Sequence, residues 1–144
     1  MSAMEGALRR KEEVKRYYQN ATAGLPETSG QLFAMLAEDE ERHRLAISDL
    51  EQGAQATLHP SATLEKARFI LRRLSFVDAA SGDHEELEVF YRAMDMEAAS
   101  AERYARLAEE SSGWQKELFR GIAAEEEMHF TLLENLREIL DPGP

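Results

Sequence analysis

Apolar residues recur along most of this chain at intervals of three and four. Within 29–52, Phe33, Leu36, Glu40, His43, Ile47 and Leu50 are spaced 3, 4, 3, 4, 3, and within 113–140 Phe119, Ile122, Glu126, His129, Leu133 and Leu136 repeat that spacing. The period places every member on one face of an α-helix. Two further stripes share it: Met4, Ala7, Lys11, Val14, Tyr18, Ala21, and Phe90, Ala93, Glu97, Ser100, Tyr104, Leu107. The pattern predicts four long helices, over 3–23, 29–52, 86–110 and 113–140. Prolines occur only at 26, 60, 142 and 144, outside all four. The long connection between the second and third helices reads as a loop over Gly53–Ser61 with His59-Pro60 as a breaker, a short helix over Thr63–Leu74, and a turn and cap at Ser81-Gly82-Asp83. No stretch alternates as a strand would. The expected fold is all-α: an antiparallel four-helix bundle forming one domain over 1–144, with a long crossover containing a short helix.

The chain also repeats itself. At an offset of 86 residues, Ala7 matches Ala93, Tyr18 matches Tyr104, and Leu32, Phe33 and Ala37 match Leu118, Phe119 and Ala123. Glu40, Glu41 and His43 match Glu126, Glu127 and His129 without a gap. The first helical hairpin is thus a copy of the second, and two such hairpins pack with approximate twofold symmetry. One position breaks the pattern, because Lys11 stands where the repeat has Glu97.

The four apolar stripes carry six ionisable residues: Lys11, Glu40, His43, Glu97, Glu126 and His129. A bare buried carboxylate is costly unless it is paired or binds metal. Glu-x-x-His puts an oxygen and a nitrogen ligand on one helical face. Two such pairs and a further Glu make a hard oxygen–nitrogen pocket suited to iron or manganese. One Glu-x-x-His is weak evidence in a chain rich in Glu; two in register with a repeat are much stronger.

Composition narrows the classes. A formal net charge of -11 over 144 residues excludes nucleic acid and anionic membrane as natural partners. The absence of cysteine excludes disulfides, thiolate zinc, iron–sulfur clusters and a rubredoxin-type iron site on this chain. No apolar run has transmembrane length, and the N-terminus has none long enough for a signal peptide, so a cytoplasmic location is expected.

The segments AMDMEAASAERYARLAEE (93–110) and FRGIAAEEEMH (119–129) resemble the second half of a rubrerythrin-type di-iron domain; ALRRKEEVKRYYQNA (7–21) and LFAMLAEDEERH (32–43) resemble the first. The resemblance covers nearly all of the chain. Its most specific parts are Glu97 with Tyr104 seven later, and the two Glu-x-x-His motifs. It implies a ferritin-like bundle, with Glu40, His43, Glu97, Glu126 and His129 as metal ligands. It implies non-haem iron that reduces peroxide or oxidises ferrous iron, and a homodimer. One or two iron ions are expected, with manganese or zinc as alternatives. The electron donor must then be a separate protein or a small reductant. Two other functions stay open: iron handling without turnover, and a degenerate metal-free helical interaction module.

The family has a ligand Glu where this chain has Lys11. Glu12 and Glu13 are neighbours, but one residue turns a helix by about 100°, so neither replaces it. Glu40, Glu97 and Glu126 supply three negative charges and a protonated Lys11 one positive. One divalent ion neutralises the remainder. Three readings follow: one metal beside a Lys11 paired with Glu40 or Glu97; two metals with Lys11 neutral or displaced; or no metal and a buried ion-pair network. Lys11 and Tyr104 are the candidate catalytic groups. Tyr18 and Tyr104, one and a half to two turns beyond the ligands, are expected in the core with hydrogen-bonded hydroxyls. Glu41 and Glu127 are expected to be solvated, and His59 and His84 to sit in exposed loops.

Overall fold

The computed structural model describes residues 3–55, 58, 60–76 and 84–141, with backbone alone at 71 and 73–76. It contains five helices: α1 (Ala3–Gly24), α2 (Glu27–Glu51), α3 (Thr63–Phe76), α4 (His84–Glu109) and α5 (Gly113–Leu140). No strand occurs among the described residues. The four long helices and the short one fall where the periodicity puts them. The differences lie at the ends. α2 begins directly after Pro26, a residue whose fixed φ suits a helix entry, two residues earlier than the apolar stripe indicates. α4 takes in His84, expected in a loop, as its first residue. His59 and the turn at 81–83 lie outside the described residues.

α1 packs along α2 and α4 along α5. The first hairpin turns within Leu25-Pro26. A Cβ at Gly30 would lie 3.3 Å from the Thr22 carbonyl oxygen, so glycine lets the two helices approach at this turn. α3 lies against α2 and α5, where Ala67 and Ile70 are buried. The result is a ferritin-like all-α bundle in which α3 covers the α2/α5 side.

The core forms two apolar clusters. One gathers around Tyr18, Phe33, Leu36, Phe90, Leu133 and Leu136, the other around Ala7, Ile47, Tyr104, Phe119 and Ile122. Edge-on aromatic contacts fasten the first: Tyr18 to Phe33 at 5.4 Å and Phe33 to Phe90 at 5.2 Å between centroids. Each fully buried large side chain contributes about 1.5–3 kcal/mol of apolar transfer. Between the clusters, at positions 11, 40–43, 97 and 126–129, the stripes turn polar. That layer lies inside the bundle and must satisfy its own charges.

Candidate metal centre

All six ionisable stripe residues meet in this layer, and each is at most 2% exposed. Lys11 is the hub. Its Nζ donates to Glu40 Oε2 at 2.7 Å and to Glu126 Oε1 at 3.0 Å, and lies 3.0 Å from His43 Nδ1. The expected alternative partner, Glu97, is engaged elsewhere: Tyr18 donates its hydroxyl to Glu97 Oε1 at 2.5 Å. Glu13 points to solvent, and Glu12, partly exposed, pairs with Lys15 and Arg16, so neither replaces a carboxylate at position 11.

The charges divide accordingly. Burial opposes the Lys11 ammonium, but Glu126 and Glu40 outweigh it and hold the pKa above its ordinary value. Burial also opposes the Glu126 carboxylate, yet Lys11 and His43 keep it well below the usual carboxylate range. Glu97 is not paired with Lys11, and His129 beside it does not offset its burial. Burial, and then the charge of Glu126, push its carboxyl well above that range.

Each histidine is held from outside by an acid that the stripes did not reveal. His43 Nε2 lies 2.8 Å from Glu125 Oε1, and His129 Nε2 lies 2.8 Å from Asp39 Oδ2. Asp39 and Glu125 each precede a stripe Glu and are themselves related by the 86-residue offset. Comparing only identical residues hid the pair; counting acids of either length would have found it. Arg42 Nη1 joins the two, 2.8 Å from Asp39 Oδ1 and 2.9 Å from Glu125 Oε1. Asp39 Oδ2 also accepts from Ser61 Oγ and Thr63 Oγ1, both at 2.7 Å, so the start of the crossover helix anchors the centre. Glu41 is instead half-buried against Lys15, and Glu127 is exposed. His84 is exposed, as expected.

The tyrosines divide unexpectedly. Both were placed beyond the ligand level, but a helical side chain leans toward its own N-terminus, and tyrosine is long enough to reach back. Tyr18 therefore touches the centre through Glu97. Tyr104 instead offers its ring to Lys11, whose Nζ lies 4.8 Å from the centroid. Its buried hydroxyl has no partner, contrary to the expectation of a hydrogen-bonded phenol. Lys11 cannot accept from Tyr104 as Glu97 accepts from Tyr18, and its own Nζ is directed at Glu40, Glu126 and His43 instead.

Three further atoms of the layer are buried without a hydrogen-bond partner: Glu40 Oε1, Glu97 Oε2 and His129 Nδ1. His129 Nδ1 lies 3.3 Å from Glu97 Oε1 but makes no hydrogen bond with it. Glu40, Glu97, Glu126 and His129 can each present a ligand atom within 4.8 Å of the others. Such orphaned donors and acceptors are rare in a packed interior unless something meets them. Carboxylate oxygens with one imidazole nitrogen suit a hard or borderline divalent cation, so the residues fit a metal. His43 is not in that set; its Nδ1 faces Lys11 and lies 3.0 Å from Glu126 Oε1.

A family model described as Rubrerythrin matches residues 2–137. The chain belongs to the rubrerythrin family. That family typically binds iron, and the buried carboxylate–histidine layer is where this rubrerythrin-family chain has the groups to do so. No curated protein and no solved structure matches the chain. Among the described residues, no helix is long and apolar enough to cross a membrane.

Proposed function

We propose that this chain is a non-haem iron oxidoreductase acting on peroxide or oxygen with an external electron donor, and that its centre takes a single divalent iron beside Lys11. The observation that carries this reading is that Glu40, Glu97, Glu126 and His129, on three helices, present ligand atoms within 4.8 Å of one another beside a fixed ammonium, and that three of them each carry a buried, unpartnered atom. Glu40, Glu97, Glu126 and His129 would hold the ion. His43 is tied to Lys11, and joins the ligands only where Lys11 gives way. Bound there, iron would supply the redox couple that reduces peroxide or oxygen.

The chain's own residues have separable roles in this reading. Lys11 neutralises Glu40 and Glu126 and presents positive charge to an incoming peroxide. Tyr18 fixes the orientation of Glu97, and Asp39 fixes the ring of His129, as acids outside a ligand shell commonly do. Tyr104, whose ring lies beside the ammonium, has a hydroxyl free of protein partners and would be available to donate a hydrogen bond to peroxide. Electrons come from a separate protein or small reductant, because the chain has no cysteine to hold an iron–sulfur or rubredoxin-type group.

A second reading, a metal-free ion-pair network, is favoured by the number of partners that already close around Lys11. Anaerobic loading with ferrous iron followed by metal analysis separates the two. One iron per chain is expected for the native sequence and two for Lys11→Glu, together with peroxide-dependent oxidation of the loaded iron. Two irons in the native chain would overturn the single-ion reading. None in either form would assign the layer to a metal-free network. Iron bound without peroxide-dependent oxidation would leave an iron-handling protein.

A further inference from the structure

The crossover covers the α2/α5 side of the bundle, and a cavity of about 580 Å³ opens between α1 and α4 on the other. Its charge is opposite to that of the chain. Arg10, Arg16, Arg92 and Arg103 line it with Lys11, against one acid, Glu13, in a protein of net charge -11.

Lys11 is paired within the layer, but the four arginines are poorly neutralised. Among the described residues Arg16 pairs only at the surface with Glu12, at 3.3 Å, and Arg92 lies over the Tyr17 ring at 5.4 Å. Among the described residues Arg10 and Arg103 have no carboxylate partner, and the buried Arg10 Nε has no hydrogen bond. The two guanidinium groups are close enough to repel each other: burial, then Arg10, lowers the pKa of Arg103. At the floor lies Tyr104, 1% exposed, with its unpartnered hydroxyl. Val14, Tyr17 and Met96 give the cavity an apolar wall. Arg10 with its unpartnered N–H, the like-charged Arg103 and Tyr104 with its unpartnered hydroxyl therefore line one space that is large enough for a small molecule. Guanidinium forks match carboxylates in shape and charge.

We propose that the α1/α4 cavity is a binding site for a small organic carboxylate with an apolar body, its head held by Arg10 and Arg103 and its body lying against Val14, Tyr17 and Met96. The site is distinct from the carboxylate–histidine layer and does not depend on whether that layer holds metal. Its approach to the layer is through Lys11 and Tyr104, which line both, so an occupant lies beside these two residues.

The test is calorimetric titration of the full chain with 2-naphthoate, with neutral 2-naphthamide and inorganic phosphate as comparison ligands. Saturable binding of one 2-naphthoate per chain is expected. It should be weaker at higher ionic strength, at least roughly tenfold weaker for the amide, and roughly tenfold weaker in Arg103→Gln. Arg106→Gln, outside the cavity and paired with Glu102, controls for loss of surface charge and should bind as the native chain does. If Arg103→Gln does not fold, Arg10→Gln serves in its place. Equal binding of the amide, equal binding by the cavity variants, or no saturable binding of 2-naphthoate would overturn the proposal. Phosphate binding as tightly as 2-naphthoate would overturn the role of the apolar wall.

Discussion

The centre has two halves that the repeat makes equivalent and that a single residue makes unlike. In the second half, Glu97 accepts from Tyr18 and keeps one oxygen free, and His129 is held by Asp39 with Nδ1 free. In the first half, Lys11 stands in place of that Glu and lies over Tyr104, and His43 is held by Glu125 but has its Nδ1 against the ammonium. The outer contacts are conserved by the twofold; the inner ones are inverted in sign. A cation built into the chain therefore occupies one half, while the other keeps the unpartnered Glu97 Oε2 and His129 Nδ1. The lesson is that a buried lysine can stand opposite a buried glutamate in a twofold layer while the outer histidine–acid contacts stay alike.

The largest effect should come from removing that cation. Lys11→Met leaves Glu40 and Glu126 buried without their counter-charge. Breaking a buried ion pair on one side typically costs about 3–5 kcal/mol. Urea unfolding of the chelator-treated protein at pH 7 should show a loss of that size. The matching change in the other half, Glu97→Gln, should cost far less, roughly 1 kcal/mol, because burial and Glu126 already disfavour the charge on Glu97. Equal losses in the two variants would break the comparison.

The tyrosines sharpen it at the next level. Tyr18→Phe removes a buried hydrogen bond and leaves Glu97 Oε1 without that donor, which should cost about 1–3 kcal/mol. Tyr104→Phe removes a hydroxyl that has no partner, and the same unfolding measurement should find it close to neutral. Placing both changes in Lys11→Glu should reverse the asymmetry, since Tyr104 then faces a carboxylate.

Most of the fold was legible in the chain because a 3–4 spacing leaves little choice of structure, and the 86-residue repeat then fixed which stripes face one another. Helix ends were legible only approximately: Pro26 fixes the start of α2, while the apolar stripe that marks a helix fades before its last turns. In the centre, the six inward residues could be read from the stripes, because each interrupts an apolar face at the same height. What could not be read was direction within that layer. Spacing says that Lys11, Glu40, Glu97 and Glu126 meet, but not that the ammonium reaches Glu126 rather than Glu97. That outcome depends on Tyr18 occupying Glu97 first. Asp39 and Glu125 escaped for another reason. They lie off the apolar line, one residue before the stripe Glu, where a solvated acid is the ordinary expectation.

The smallest predicted effect lies on the outside of the same two helical pairs. Around the first half, Lys15 bridges Glu12 at 3.0 Å and Glu41 at 2.8 Å, and Arg44 also pairs with Glu41. The equivalent positions around the second half are Ala98, Ala101, Glu127 and Phe130, and Glu127 is exposed. The Arg44 hydrogen bond, with Lys15 adding to it against slight burial, holds the Glu41 carboxyl below its ordinary value of 4.5. A depressed acid contributes stability that is present above its unfolded pKa and is lost as pH falls through the lower folded one. Partly exposed ion pairs are worth about 1 kcal/mol at most and are screened by salt. Glu41→Gln should therefore lower stability slightly at pH 7 in low salt. The difference from the native chain should shrink in concentrated salt and again as pH falls below about 4.5. Glu127→Gln, measured in parallel, should do nothing under any of these conditions. A pH-independent loss in Glu41→Gln would mean that the side chain acts through packing, and the outer asymmetry between the two halves would then not be electrostatic.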